Sequence, residues 1–424
     1  MLGRLRSPLM LSLVDQVLVS AANLGLSFWL ISRWPPASFG VFAIVTSISL
    51  TGLALHQALA GSQLPLMQAR ATDERERGEV LATAWAIALA VALSAGLATA
   101  VGFALLSPVT GETVALLAGS FVALHVCREH IRTYHFAVFE VGHAVMNDFV
   151  HASIVLAIIA GAVVLHVEVD LALVLAALAV ASGVALLPTL LSRRKDFALR
   201  MDREVRRRMR ALWQEHGRWA LLGASAAEMQ TRGHVAAVSA FFSVADLGII
   251  QAALMLLRPI GLLASAWAKI ARPAMAHMFA QQRVAAAVRY AHLSAVGFAV
   301  ATLLYLIALW FCWPVLAAHV LPPAYHGLQA VVPLWGIATL FGLLRSIYSL
   351  EAQCVPIFRE AFYASAVAMV TVFAGLVLAV VFGTATTTVL AVAAGETAAL
   401  VVLLLILRRR FGRPTDLPVP ATAP

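Results

Sequence analysis

The sequence predicts an all-α polytopic membrane protein, with about 12 transmembrane helices in two six-helix bundles related by a pseudo-twofold axis along the membrane normal. Three observations predict it. The 424 residues are 62% hydrophobic and only 12% charged, where a soluble domain is roughly a quarter charged, and the mean hydropathy is +0.89. Apolar runs of the roughly 20 residues that a bilayer-crossing helix needs recur along the chain. The 30 Lys and Arg, against 21 Asp and Glu, alternate between those runs instead of clustering in one domain, which points to a bilayer and away from nucleic acid.

In the first half the spans run 9–32, 39–67, 80–106, 114–135, 144–165 and 171–191; in the second they run 219–242, 247–267, 293–313, 331–350, 361–382 and 386–407. Arg128, Glu129, Arg132, Glu140 and Asp148 crowd the boundary between spans four and five. The domains are therefore residues 1–192, a basic linker 193–218, residues 219–407 and a disordered tail 408–424. The first apolar run follows Arg4 and Arg6, contains Asp15 and Gln16, and is too long for a signal sequence, so it reads as an uncleaved span.

Loop charge orients the chain. With the linker and both termini in the cytoplasm, 26 of the 30 basic residues fall on that side. Arg33 alone lies opposite, Arg128 and Arg132 at the inner end of span four count with the cytoplasmic loop that follows, and Arg232, Arg258 and Arg345 fall inside spans. The outer loops are short, with Trp34, Trp313 and Tyr325 as interfacial anchors, and none could fold into a catalytic domain. In the linker, Phe197, Met201, Val205, Met209 and Leu212 recur at helical spacing among arginines. That pattern suits an amphipathic helix on an anionic membrane surface, or simply a solvated connection.

An internal repeat supports the division into halves. Ala37, Phe39, Gly40, Val41, Pro65 and Met67 are matched 208 residues later by Ala245, Leu247, Gly248, Ile249, Pro273 and Met275. Gly and Pro have specific backbone roles, which makes their coincidence informative.

Polar residues inside spans face a bundle interior or a water-filled path. Span one carries Ser12, Gln16, Ser20, Asn23 and Ser27 on one stripe with Asp15 beside it; span two carries Thr46, Ser49, His56 and Gln63. Span seven adds Ser225, Glu228, Arg232 and Ser239, and span eight adds Gln251, Arg258, Ser265 and Lys269. These stripes suit an aqueous lumen formed by spans one, two, seven and eight. Interhelical hydrogen bonding, at about 0.6 kcal/mol per contact, accounts equally for the Ser and Thr positions. It does not account for the arginines, each of which costs at least roughly 2.5–3.5 kcal/mol at mid-bilayer. Arg258 has no acidic residue within one turn and is the best candidate for an anionic ligand; Glu228 and Arg232 can neutralise each other at i, i+4. Asp15 or Glu228 could carry a coupling ion, and His56 and His234 suit core packing better than a relay.

There is no Gly-rich phosphate loop, no Ser, His and Asp set that residue order alone assigns, and no metal-ligand spacing among the His, acidic residues and the isolated Cys127, Cys312 and Cys354. No cofactor, metal or enzymatic activity is expected.

The turn Ser32-Arg33-Trp34-Pro35-Pro36-Ala37-Ser38-Phe39-Gly40-Val41-Phe42 after a polar first span resembles the Wzx-type lipid-linked oligosaccharide flippases of the multidrug/oligosaccharidyl-lipid/polysaccharide (MOP) exporter superfamily. Ala245-Asp246-Leu247-Gly248-Ile249, Arg258-Pro259, Pro273 and Arg128-Glu129-His130-Ile131-Arg132-Thr133-Tyr134 look like the same family. The resemblance implies a bacterial inner-membrane protein with a MATE-like fold. It would move polyprenyl-diphosphate-linked oligosaccharide to the periplasmic leaflet for surface polysaccharide synthesis, by alternating access driven by H+ or Na+. Polysaccharide polymerase and chain-length proteins are the partners it implies, besides membrane lipids.

On this reading Arg258, Arg232, Gln16, Asn23, His56 and Gln63 line the substrate lumen, Asp15 and Glu228 couple the ion, and Arg128, Arg132 and Arg345 stand at the cytoplasmic mouth. The alternatives are a cation-coupled drug or metabolite exporter of the same superfamily, and a non-transporting scaffold for envelope assembly that works through the linker.

Overall fold

A computed structural model describes residues 19–61, 64, 67–68, 71, 73–106, 111–198, 203–214, 218–354 and 358–411. It is all helical apart from short turns. Helix α1 covers residues 19–33, and α2 spans Pro36–His56 and runs into a π-helical turn, Gln57–Gly61. The first half continues with α3 (Glu74–Leu106), α4 (Gly111–Ala137), α5 (Val141–Val164) and α6 (Leu171–Ser192). A short α7 (Arg203–Leu212) occupies the linker. The second half holds α8 (Arg218–Phe241), α9 (Val244–Ala280), α10 (Val284–His319), α11 (Leu328–Cys354), α12 (Phe358–Phe382) and α13 (Thr387–Phe411). Asp15, Gln16 and Gln63 lie outside the described residues.

Ten of these helices are long and apolar enough to cross a membrane, so the chain is a multi-pass membrane protein. Helix α8 has the length but carries Glu228, Gln230, Thr231, Arg232 and His234 in its middle, which lowers its hydropathy. The helices overrun the apolar stretches at several ends. At 37 residues, α9 is about 55 Å long, against about 30 Å of hydrocarbon. Backbone hydrogen bonding does not stop where hydropathy falls. The expected tail likewise starts late, because α13 continues to Phe411 with Arg408, Arg409 and Arg410 in its last turn, where cations suit the helix dipole.

The chain divides into two compact units, one of Met1–Gly25 with Phe42–Ser225, the other of Leu26–Val41 with Ala226–Pro424. In the first, α4 packs on α3 and α6, and α5 packs on α6. Trp85, Val126, Ile131, Tyr134, Leu186 and Phe197 join its main core. In the second, α11 packs on α10, α9 and α13, and α12 packs on α13, around Met275, Phe298, Ile347, Tyr348, Leu400 and Leu403.

The linker is docked as well as charged. Phe197 belongs to the core of the first unit, Val205 is fully buried, and Arg208 reaches Glu76 (3.4 Å) and Glu79 (3.1 Å) on α3. Arg203, Arg206, Arg207 and Arg210 are exposed. Trp34 and Tyr325, expected as interfacial anchors, are instead buried; their rings find more apolar contact in the protein than at the head-group level, and burial raises the Tyr325 phenol pKa.

The 208-residue repeat is matched helix by helix at its start. Helices α1 and α8 end at residues 33 and 241, and α2 and α9 begin at Pro36 and Val244. Gly40 and Gly248 then make one reciprocal contact within the second unit. A Cβ on Gly40 would strike the carbonyl of Val244, and a Cβ on Gly248 the carbonyl of Pro36. Those obstacles are backbone, so no rotamer change relieves them. Gly40→Ala and Gly248→Ala are each expected to destabilise the protein by about 1–3 kcal/mol, seen as a lower unfolding temperature in detergent, whereas Gly25→Ala, with open space around it, leaves that temperature unchanged.

Candidate functional site

A charge in hydrocarbon must be neutralised or used, which makes the ionisable side chains of the membrane helices the informative ones. In the first unit they form a closed network. Arg128 on α4 is buried, donates to Asn147 Oδ1 at 3.2 Å and pairs with Asp148, both on α5. Arg132 pairs with the other Asp148 oxygen at 2.9 Å and with Glu129 at 3.3 Å. Asn147 Nδ2 donates to the Ala185 carbonyl on α6 at 2.6 Å. Two arginines and two carboxylates leave no net charge. The sequence placed Arg128 and Arg132 at an open mouth; the structure puts Arg128 inside a three-helix polar joint because Asp148, read only as a boundary marker, offers both oxygens.

His56 is also interior. Its Nε2 lies 2.9 Å from His130 Nδ1, and the His130 ring packs on Trp85. The sequence reading placed His56 among the lumen residues; in the structure its side chain is fully buried against α4 instead. Asn23 is exposed on α1.

In the second unit α8 has two polar faces. Gln230 and His234 are buried: Gln230 donates to Glu396 Oε1 on α13 at 3.0 Å, and His234 Nε2 lies 2.9 Å from Gln251 Nε2 on α9. His234 also packs edge-on against Trp335, whose Nε1 donates to the Ile250 carbonyl. Glu228 and Arg232 stand two positions away, partly exposed, with Arg232 Nε 2.6 Å from Glu228 Oε2. Arg345 on α11 is held by Glu396 at 2.5 Å.

Arg345 and Arg128 occupy equivalent places. Each is the eighteenth residue of a 27-residue helix, α11 and α4. Their acids differ, since Asp148 comes from α5 and Glu396 from α13. Glu396 was missed in the sequence, although an acid in the middle of an apolar span is the same signal that singled out Arg258.

Arg258 is different. It sits near the middle of α9, is half-buried, and among the described residues makes no ion pair or hydrogen bond. It lies within electrostatic reach of Arg232. The Lys269 side chain lies outside the described residues. Among the described residues Arg232 is paired with Glu228 and Arg345 with Glu396, while Arg258 has no ion pair. A half-buried guanidinium of that kind can take a phosphate or carboxylate in a bidentate, charge-assisted contact.

No protein-family model and no curated protein matches the sequence. Solved structures do match. An inward-facing multidrug resistance MATE family transporter of the MOP superfamily is 13% identical over 94% of both chains, with a TM-score of 0.63. An outward-facing structure of the same description is 11% identical over 96% of this chain and 95% of that one, also at 0.63. A MOP superfamily transporter from Pyrococcus furiosus is 12% identical over 96% of this chain and 95% of that one, at 0.62. The chain therefore has the fold of MOP superfamily transporters.

Removing one member of a buried ion pair strands the other, at about 3–5 kcal/mol. Arg128→Ala is expected to lower the unfolding temperature sharply, and the joint replacement Arg128→Met with Asp148→Leu to recover most of the loss. Arg258→Ala, which strands nothing, leaves it at the wild-type value.

Proposed function

We propose that the protein is a secondary transporter for a lipid-linked anionic saccharide. It moves polyprenyl-diphosphate oligosaccharide from the cytoplasmic to the periplasmic leaflet of the bacterial inner membrane, by alternating access driven by a proton or sodium gradient. The observation that carries this reading is Arg258, the half-buried guanidinium with no partner among the described residues. Such a charge is too costly to keep for packing alone, and it suits a diphosphate whose lipid tail stays in the bilayer.

Arg232 adds a second cation whose balance depends on Glu228. Glu228, paired with Arg232 at 2.6 Å, is one candidate to link an ion step to ligand binding. Asp15 is the other coupling candidate. The fold has been seen in both inward-facing and outward-facing forms in its structural neighbours. The Pyrococcus furiosus neighbour is described as having a binding pocket of reversed polarity and a different function, so this fold accommodates pockets of more than one polarity. Both termini lie in the cytoplasm on this reading, and polysaccharide polymerase and chain-length proteins are the partners downstream.

A cation-coupled drug exporter is the second reading, favoured by neighbours described as multidrug resistance transporters. It predicts that expression raises resistance to amphipathic cations, which the charge of Arg258 would repel.

The test is to delete the gene in its host and probe lipid-linked saccharides with a reagent confined to the periplasm. Accumulation of a completed, inward-facing polyprenyl-diphosphate oligosaccharide is expected, reversed by the wild-type gene and not by Arg258→Ala at equal protein level. An unchanged lipid-linked pool, or full rescue by Arg258→Ala, would remove this reading.

A further inference from the structure

Where α4 gives way to α5, three potential metal ligands converge. His135 lies in the last turn of α4, Glu140 is the N-cap of α5, and His143 lies in its first turn. Between them the chain reverses through Phe139, which has φ of 62°, an uncommon backbone for a bulky residue. That reversal lets the Glu140 amide donate to the His135 carbonyl at 2.8 Å and folds the Glu140 carboxylate over the imidazole.

His135 Nδ1 is 3.3 Å and His143 Nδ1 3.8 Å from the same oxygen, Glu140 Oε2. The two imidazoles stack with centroids 5.3 Å apart and planes 15° from parallel. All three ligand atoms lie within 4.8 Å of one another. Ligands sharing one tetrahedral zinc at about 2.0–2.2 Å stand roughly 3.2–3.5 Å apart, so only a small closure is needed.

On His135 and Glu140 the outer polar atoms are already engaged. His135 Nε2 lies 3.0 Å from Thr189 Oγ1 on α6, and the other Glu140 oxygen accepts from Arg193 at the end of α6. Outer partners of this kind fix the tautomer and orientation of metal ligands. His135 Nδ1 faces the Glu140 carboxylate, and either a proton on Nδ1 or a metal cation between the two satisfies both groups. The His143 side chain is 70% exposed, which leaves an approach and an open fourth position for water. The spacing escaped the sequence reading because five and three residues across a turn match no single-helix pattern.

We propose that His135, Glu140 and His143 form a binding site for one divalent transition cation, with zinc as the best match to two imidazoles and a carboxylate. The ion would tie the α4–α5 turn to the end of α6 through Thr189 and Arg193.

The test uses the full-length protein in detergent, carrying a tag without histidine, titrated with Zn2+ by calorimetry and with Co2+ by visible absorption. One Zn2+ per chain is expected, with affinity reduced at least about tenfold in His143→Ala and in Glu140→Gln, and with the Co2+ bands lost. His143→Ala removes an exposed side chain, so its unfolding temperature without metal should equal that of wild type. A wild-type protein that binds no Zn2+, or variants that bind it as tightly as wild type, would overturn the proposal.

Discussion

The structure depends on the cost of charge in hydrocarbon. An ionisable side chain at mid-bilayer is tolerated only if another group neutralises it or a ligand will. The first unit meets this rule by closure: Arg128, Arg132, Glu129 and Asp148 balance within α4 and α5, and Asn147 carries the network to α6. The second meets it twice, in Arg232 with Glu228 and Arg345 with Glu396. Among the described residues Arg258 and the buried Glu351 on α11 make no ion pair, and the functional reading rests on Arg258, the cation of the two.

The repeat shows how such a chain diverges without losing its fold. The first turns of α2 and α9 share a backbone contact that only glycine permits, at Gly40 and Gly248. Helices α4 and α11 keep an arginine at the same position, yet each recruits its acid from a different neighbour.

Much of the architecture was legible in the sequence because hydropathy and loop charge are first-order effects in a bilayer. The order of the apolar spans follows from them, and the phase of the repeat from its matched Gly and Pro residues. Helix ends were less legible, since α9 and α10 continue well past the apolar stretch. The site was only partly legible. Arg258 and the Glu228–Arg232 pair could be found from spacing within one helix, whereas Asp148, Glu396 and the His56–His130 contact join residues distant in sequence. Phe197 and Val205 in the linker look suited to lipid but are buried in protein, and a one-dimensional pattern cannot separate those two apolar surroundings.

The most direct measurement is the affinity of the protein in nanodiscs for a polyprenyl-diphosphate saccharide, compared between wild type and Arg258→Gln. If the unpaired guanidinium receives the diphosphate, the substitution weakens binding at least about tenfold, as expected for loss of a charge-assisted contact of about 1.5–3 kcal/mol, and added salt weakens the wild type more than the variant. Equal affinity in the two proteins would contradict the account.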